Sequence, residues 1–370
     1  MAAMETAGQR ARDFGIVVGT LPPGPANAIT DVAGVRVGHT TLIEGDGPLS
    51  VGRGPVRTGV TVIVPGADDP WVEPAFAGCH RLNGNGELTG LEWIREAGLL
   101  TTVIGLTNTH SVGVVRDALI AAAAATVSPD EQRWYLPVVG ETYDGDLNDI
   151  NGMHVRAEHV HGALAAAAGG PVAEGGVGSG TGMMCHGFKG GIGTASRVVD
   201  GSTVGVLVQA NHGRRERLRV NGLPVGPLPG EEPAPGNGAG PGGSIIVIVA
   251  TDAALLPGQC DRLAQRAALG IGRVGGAGEH SSGDIILAFA TGNRGLRPLV
   301  DHTVEGAPPV ELRALPADRI DALFYAVIEA TEEAIVNALV AGRTMTGRDG
   351  YTVQGIGGAR LADCLKSATP

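Results

Sequence analysis

Aromatic residues make up only 3% of the 370 residues, and charged residues 18%. Lys plus Arg number 27 against 38 Asp plus Glu, a formal net charge of −11. A chain so acidic and so poor in rings has neither a phosphate-neutralising face nor a base-stacking surface, so nucleic acid is excluded as a partner. A site that attracts cationic amines fits the sign better. Cysteine is scarce too. Cys79, Cys185, Cys260 and Cys364 form no CxxC pair and no disulfide framework, which points to a reducing, cytoplasmic compartment. The longest apolar runs, such as LIAAAAATV (119–127) and SIIVIVAT (244–251), are too short to span a bilayer, and the first fifteen residues lack the apolar core of a signal peptide.

Glycine, by contrast, is abundant at 61 residues, and hydrophobic residues reach 43%. A core of Ala, Val, Leu and Ile with closely approaching backbones follows. Short β-branched runs bounded by turn residues predict strands at 15–19, 34–43, 59–65, 101–108, 202–211, 243–251 and 284–291. Helical periodicity lies between them at 86–98, 112–126, 153–168, 259–274 and 318–342. In the last, Ile320, Leu323, Phe324, Val327 and Ile328 share a face, with Asp318 as the expected N-cap. Strands and helices mix along the whole length, so the class is α/β or α+β, read as one catalytic domain over 1–370.

Residues 227–242 read PLPGEEPAPGNGAGPG, in which ten of sixteen are Pro or Gly, so neither a helix nor a central strand continues through them. This is a flexible loop or linker. It runs into Gly243, Ser244 and the apolar stretch IIVIVA. A loop ending in Gly-Ser at the start of a buried strand also suits a self-cleaving precursor, because the serine hydroxyl is placed to attack the preceding carbonyl.

Other segments have a chemical and a plain reading. His154, His159 and His161 in HVRAEHVHG have no partner at metal spacing, so they are solvated or hydrogen-bonded histidines and no metal is expected. GGVGSGTGMMCHGFKGGIG (175–193) lacks the phosphate-loop spacing, since Lys189 is followed by Gly190. It reads as a tight backbone crossing or a site wall, and Cys185 beside His186 is no catalytic pair. ETYDGDLNDI (141–150) gathers Glu141, Asp144, Asp146 and Asp149 around Tyr143, either an acidic turn or a carboxylate pocket for an ammonium group. Asn211 ends VQAN as a strand-end turn residue or an oxyanion donor. HSSGD (280–284) offers Ser281, Ser282 and Asp284 at a strand start.

Taken together, GPANAITDVAGVRVGHTTLI, GNGELTGLEWI, VVGETYDGDLNDI, GSGTGMMCHGFKGGIGTASR, TVGVLVQANHGRR and GGSIIVIVATDAALLP resemble, in order from about residue 24 to about 360, the DmpA-like L-aminopeptidase/D-amidase-esterases, which are grouped with the β-peptidyl aminopeptidases. The resemblance implies a four-layered α/β/β/α sandwich of the type shared with ornithine acetyltransferase. It implies self-cleavage between Gly243 and Ser244, giving an α-chain 1–243 and a β-chain 244–370, and a homo-oligomer of processed protomers without a cofactor. Ser244 becomes the nucleophile and Asn211 an oxyanion donor. Ser282 hydrogen-bonds the nucleophile. Asp284 stands where the family's glutamate is expected, to orient Ser282 or act through a water. Tyr143 lines the site, and Glu141 holds the substrate's ammonium.

The chemistry of such a cut is direct. An α-amino group titrates at about 7.7–8.0, close to the useful range of a base at neutral pH. A freed Ser244 therefore carries nucleophile and base on one residue, and no triad histidine is needed. The activity implied is release of N-terminal residues from small peptides, amides or esters bearing a free amine. The rival readings are a β-peptidyl or ω-amino-acid amide hydrolase, an acyltransferase of the ornithine acetyltransferase type, and an uncleaved binding protein.

Overall fold

The computed structural model describes residues 8–225, 243–296 and 309–368; the loop expected at 227–242 lies outside them. In chain order the strands begin with β1 (Val35–Glu44), β2 (Val56–Pro65), β3 (Ala75–Gly84), β4 (Leu99–Leu100), β5 (Ile104–Asn108) and β6 (Val138–Thr142). A short ribbon follows, β7 (Met184–Cys185) with β8 (Phe188–Lys189), then β9 (Gly191–Val199) and β10 (Ser202–Asn211). After a second ribbon, β11 (Arg219–Val220) with β12 (Leu223–Pro224), come β13 (Ser244–Thr251), β14 (Gly283–Ala290) and a last ribbon of β15 (Met345–Thr346) and β16 (Thr352–Val353). The helices are α1 (Leu91–Ala97), α2 (Val112–Ala124), α3 (Ala157–Ala165), α4 (Pro257–Arg273), α5 (Asp321–Ala341) and α6 (Gly358–Ala368).

Two sheets form, one ordered β1-β2-β5-β6 and the other β4-β3-β14-β13-β10-β9. Strand β13 shows how they stack. Every one of its residues is buried, as its unbroken apolar run requires of a strand covered on both faces. Ile245, Val247 and Val249 join one core, with α4 and α5, while Ile246, Ile248 and Ala250 join a second, with Ile63, Ile104 and Leu106 of the four-stranded sheet. A third core packs Val60, Val62 and Val139 of that sheet against α2 and α3. Three cores between four layers give the α/β/β/α order.

The abundance of glycine has a packing cause. A Cβ on Gly193 of β9 would sit 1.9 Å from the Ala334 carbonyl oxygen of α5, and one on Gly38 of β1 would sit 2.0 Å from the Ala163 carbonyl oxygen of α3. Both outer helix layers rest directly on strand backbone. In the 175–193 segment a Cβ on Gly191 would meet the Gly175 carbonyl oxygen at 1.9 Å, the backbone crossing that its composition suggests.

Some expectations are corrected. Residues 15–19 form no strand and run irregularly after a short 3₁₀ turn, and the first helix covers Leu91–Ala97, not 86–98. Helix α5 starts after Ile320 with no side-chain cap, and Asp318 lies in the preceding 3₁₀ turn. Nor is α5 an amphipathic surface helix: it is buried nearly all round, and Glu329, Glu332 and Glu333 are buried with it.

Two of those carboxylates, Glu329 and Glu333, bind the N-terminal segment. Fully buried Arg197 reaches Glu329 at 3.0 Å and Glu333 at 2.7 Å, while Arg12 and Asn27 reach Glu333 at 2.7 and 2.6 Å. Burial alone would raise the Glu333 carboxyl; the hydrogen bond from Arg12 and the charges of Arg197 and Arg12 outweigh it and hold the group below its ordinary value. The ionised form therefore stabilises the fold fully above the unfolded value near 4.3, and this is lost as pH falls through the lower folded value. Glu333→Gln should cost about 2–3 kcal/mol near neutral pH. The difference in Tm from wild type should narrow only as pH falls below the unfolded value near 4.3, as thermal melts across pH will show.

Candidate active site

Strand order brings the predicted residues to one edge. Strand β10 ends at Asn211 and β13 begins at Ser244, and these two are register partners. The parallel neighbour β14 begins beside them, with Asp284 opposite Ile245. Ser244 shares the alternation of Ile246 and Ile248, so its side chain faces the gap between the sheets. Asn211 does the same, on the side from which Gln209 reaches across to the Thr107 carbonyl oxygen and the Thr142 hydroxyl. Across that gap, β6 carries Glu141, and Tyr143 follows it.

The Ser244 hydroxyl oxygen accepts a hydrogen bond from the Gly283 N–H at 3.0 Å. The Asn211 amide is oriented at both ends: its Oδ1 accepts from the Met184 N–H at 2.6 Å, and its Nδ2 donates to the Tyr143 carbonyl at 2.9 Å. One Nδ2 hydrogen is thus committed, and geometry fixes the direction of the other. The Ser282 hydroxyl donates to Asp284 Oδ1 at 2.5 Å. Burial pushes the Asp284 carboxyl up to about 6, against the hydrogen bonds from Ser282 and the Ile245 backbone. The pairing of β14 with β3 shifts register at Asp284/Ile285, where Asn83 and Arg81 are the successive partners and Leu82 is extra. Such a bulge re-aims side chains at a sheet edge.

A cavity opens at this edge. Tyr143, Asp146, Asn211, Gly243, Ser282 and Asp284 line it; Ser244, only 4% exposed, does not. Gly243 occupies the wall in front of the serine. It packs so tightly that a Cβ there would sit 2.2 Å from the Asn211 carbonyl oxygen and 2.7 Å from the His212 Cα.

Glu141 lies behind the cavity. Its carboxylate accepts from the Glu87 N–H at 3.0 Å and from the Thr109 hydroxyl at 2.5 Å. Burial raises its pKa, and those two hydrogen bonds oppose the rise. It is close to the nucleophile nonetheless: a Cβ on Gly86 would lie 3.0 Å from Glu141 Oε1 and 3.2 Å from the Gly283 Cα. The carboxylates on the cavity wall itself are Asp146, one of the acidic residues around Tyr143, with Glu279 and Asp284. The Gly283 and Met184 N–H groups are not legible in the sequence, because backbone donors leave no mark on residue type, and the Thr109 hydroxyl lies 32 residues from the carboxylate it holds. Outside this edge, His154 bonds Asp149 at 2.9 Å and His159 accepts the Arg156 N–H at 2.9 Å, the ordinary roles expected of them.

The four layers, with a serine opening a central strand opposite an oriented amide, define a hydrolase of the Ntn type, and relatives agree. The family model of peptidase family S58 matches residues 27–353. The chain is 50% identical to the β-peptidyl aminopeptidase BapA of Sphingosinicella microcystinivorans, covering 98% of this chain and 93% of that one. The solved structure of a Burkholderia sp. β-aminopeptidase superposes with a TM-score of 0.90 at 58% identity, covering 98% and 99% of the two chains. The L-aminopeptidase D-Ala-esterase/amidase of Ochrobactrum anthropi, a prototype serine aminopeptidase with a variant Ntn-hydrolase fold, matches with a TM-score of 0.86 at 43% identity, over 97% and 99%. This chain belongs to peptidase family S58.

Proposed function

We propose that the protein is a self-processing serine aminopeptidase that cleaves its own Gly243–Ser244 bond and then releases N-terminal residues, β-aminoacyl residues among them, from small peptides and amides. The observation that carries this is Ser244 itself: it opens a buried central strand, its hydroxyl is held by the Gly283 N–H, and it lies in register with Asn211. The names of the β-aminopeptidase relatives support the β-aminoacyl preference.

In the uncut chain the Ser244 nitrogen is a non-basic amide. Cleavage turns it into an α-amine that titrates near 7.7–8.0. Ser244 Oγ then attacks the substrate carbonyl and gives its proton to that amine. Asn211 Nδ2–H and a backbone N–H take the oxyanion. The protonated amine passes its proton to the leaving group, and water hydrolyses the acyl-enzyme. Ser282 and Asp284 order the hydrogen bonds at the strand start. The substrate ammonium lies against Tyr143 and replaces the Thr109 hydroxyl as donor to Glu141, whose burial strengthens the attraction. Four cysteines outside any disulfide suit a cytoplasmic setting, and the processed αβ protomers assemble as a homo-oligomer, which light scattering will measure. Among the described residues no helix is long and apolar enough to cross a membrane.

The deciding experiment is a panel of α- and β-aminoacyl nitroanilides, with and without N-acetylation, run on material whose cleavage state is known from a denaturing gel. Hydrolysis of β-aminoacyl amides with refusal of acetylated ones is expected; equal turnover of blocked substrates would refute an amine-directed site. Glu141→Gln should impair amine-bearing substrates far more than blocked ones, and equal losses would remove Glu141 from that role.

Gly243 offers a separate check on processing. A side chain there has no room against the Asn211 carbonyl, so Gly243→Val should displace the scissile carbonyl and leave most of the chain uncut. A time course on denaturing gels reads this directly; cleavage at the wild-type rate would show that the uncut geometry is not the reacting one.

A further inference from the structure

Next to the serine edge lies a cluster that the reaction above does not use. Cys185, His186 and His212 are all buried, and one donor atom from each lies within 4.8 Å of the others. The β7–β8 ribbon supplies the first two, and the residue after β10 supplies the third. Cys185 Sγ is 3.8 Å from His212 Nδ1. His186 Nδ1 lies 2.9 Å from the Arg214 carbonyl oxygen, so this nitrogen carries the proton and donates. That leaves His186 Nε2 as a bare lone pair, and it is buried without a hydrogen-bond partner among the described residues. His212 Nε2 is buried and unpartnered as well.

The orphaned His186 Nε2 needs an explanation, because a buried lone pair left bare forfeits about 1–3 kcal/mol, while His212 turns its Nδ1 toward Cys185. His186 and Gly187 form the two-residue turn of this ribbon, with φ of 48° and 70°. An imidazole with Nδ1–H on a backbone carbonyl and Nε2 free is also how a metal-ligating histidine is oriented. A tetrahedral ion with bonds of about 2.3 Å to sulfur and 2.0–2.1 Å to nitrogen sets S and N about 3.5 Å apart. The Sγ–Nδ1 separation is already close to this, and side-chain rotation can bring His186 in.

We infer that Cys185, His186 and His212 form a site for one thiophilic transition-metal ion, Zn²⁺ in the first instance. One thiolate and two imidazoles suit zinc and its late first-row neighbours and not Mg²⁺ or Ca²⁺. Binding releases the Cys185 thiol proton to solvent, so the ion and its three ligands carry a net +1. A water from the cavity, whose wall includes His212, completes the tetrahedron. The ion would tie together the two segments that flank the oxyanion residue: Met184, which holds Asn211 Oδ1, precedes Cys185, and His212 follows Asn211.

The test is titration of the full chain with Co²⁺ as a spectroscopic stand-in for Zn²⁺, with Zn²⁺ competition. Wild type should take up one equivalent and show a thiolate-to-cobalt charge-transfer band that Zn²⁺ abolishes. Cys185→Ser should lose the band. His186→Phe should weaken binding at least about 100-fold, since even outer-shell changes cost 10–100-fold. Ser244→Ala, which removes the hydroxyl of the reactive residue, should bind as wild type does. No thiolate band on folded wild-type protein overturns the proposal. So does binding that survives in Cys185→Ser but vanishes in Ser244→Ala, because the ion would then sit on the serine.

Discussion

Ser244→Ala is expected to run as a single 37 kDa chain and to be inactive, whereas wild type should separate into fragments of roughly 25 and 13 kDa, scaling mass by residue number. The loss in kcat/KM should be on the order of 10⁶, the scale seen when a serine nucleophile is removed from a preorganised site. The reason is twofold. The substitution deletes the attacking oxygen of both reactions, and without the cut the nitrogen of residue 244 stays an amide and never becomes a base. Fold should be little affected. Position 244 lies at the start of β13, and among the described residues the serine hydroxyl oxygen accepts one hydrogen bond, from the Gly283 N–H. Tm within a degree or two of wild type, with no cleavage and no turnover, is therefore the expected result. Ser244→Thr, which keeps the hydroxyl, should still cut. A processed, active Ser244→Ala protein would falsify the mechanism at its root. Wild-type kcat/KM should also climb with pH as the new α-amine loses its proton near 7.7–8.0.

Much of this site is legible in the sequence because it is built from strand ends. The unbroken run Ile245–Ala250 dictates a strand covered on both faces, so the residue that opens it must emerge at a sheet edge. The same logic placed Asn211 and Asp284 at the ends of β10 and β14. Strands β3, β6 and β9 escaped notice for physical reasons. In β3 a Gly–Cys–His–Arg stretch masks the alternation, β6 is short, and in β9 Gly191, required against Gly175, and Gly193, required under α5, interrupt the β-branched pattern. Helix α5 misled in the opposite sense. The sequence marks one apolar face, yet Glu329 and Glu333 also point inward, to Arg197, a partner more than a hundred residues away that no local pattern reveals. Likewise the carboxylate of Glu141 is visible as a residue type, but the Thr109 hydroxyl that holds it is not.

Asn211→Asp is expected to lower kcat by about 10²–10³, the usual cost of one oxyanion donor, while KM changes little. Aspartate matches asparagine in shape, and its carboxylate can still accept the Met184 N–H. What changes is the other end. The Nδ2 donor is lost, an oxygen faces the Tyr143 carbonyl, and a negative charge stands where the transition state develops one. An interaction realised only in the transition state lowers kcat and kcat/KM together when removed, and leaves ground-state binding alone. A structural role would instead show as a lower Tm and a raised KM. Because self-cleavage also passes through a tetrahedral oxyanion, at the carbonyl of Gly243, a residue packed against the Asn211 backbone, the variant should process slowly too. The two effects separate if turnover is expressed per cut chain: a residual deficit of 10² or more in the fully processed fraction assigns the amide to the hydrolytic step, whereas normal turnover per cut chain would confine Asn211 to processing.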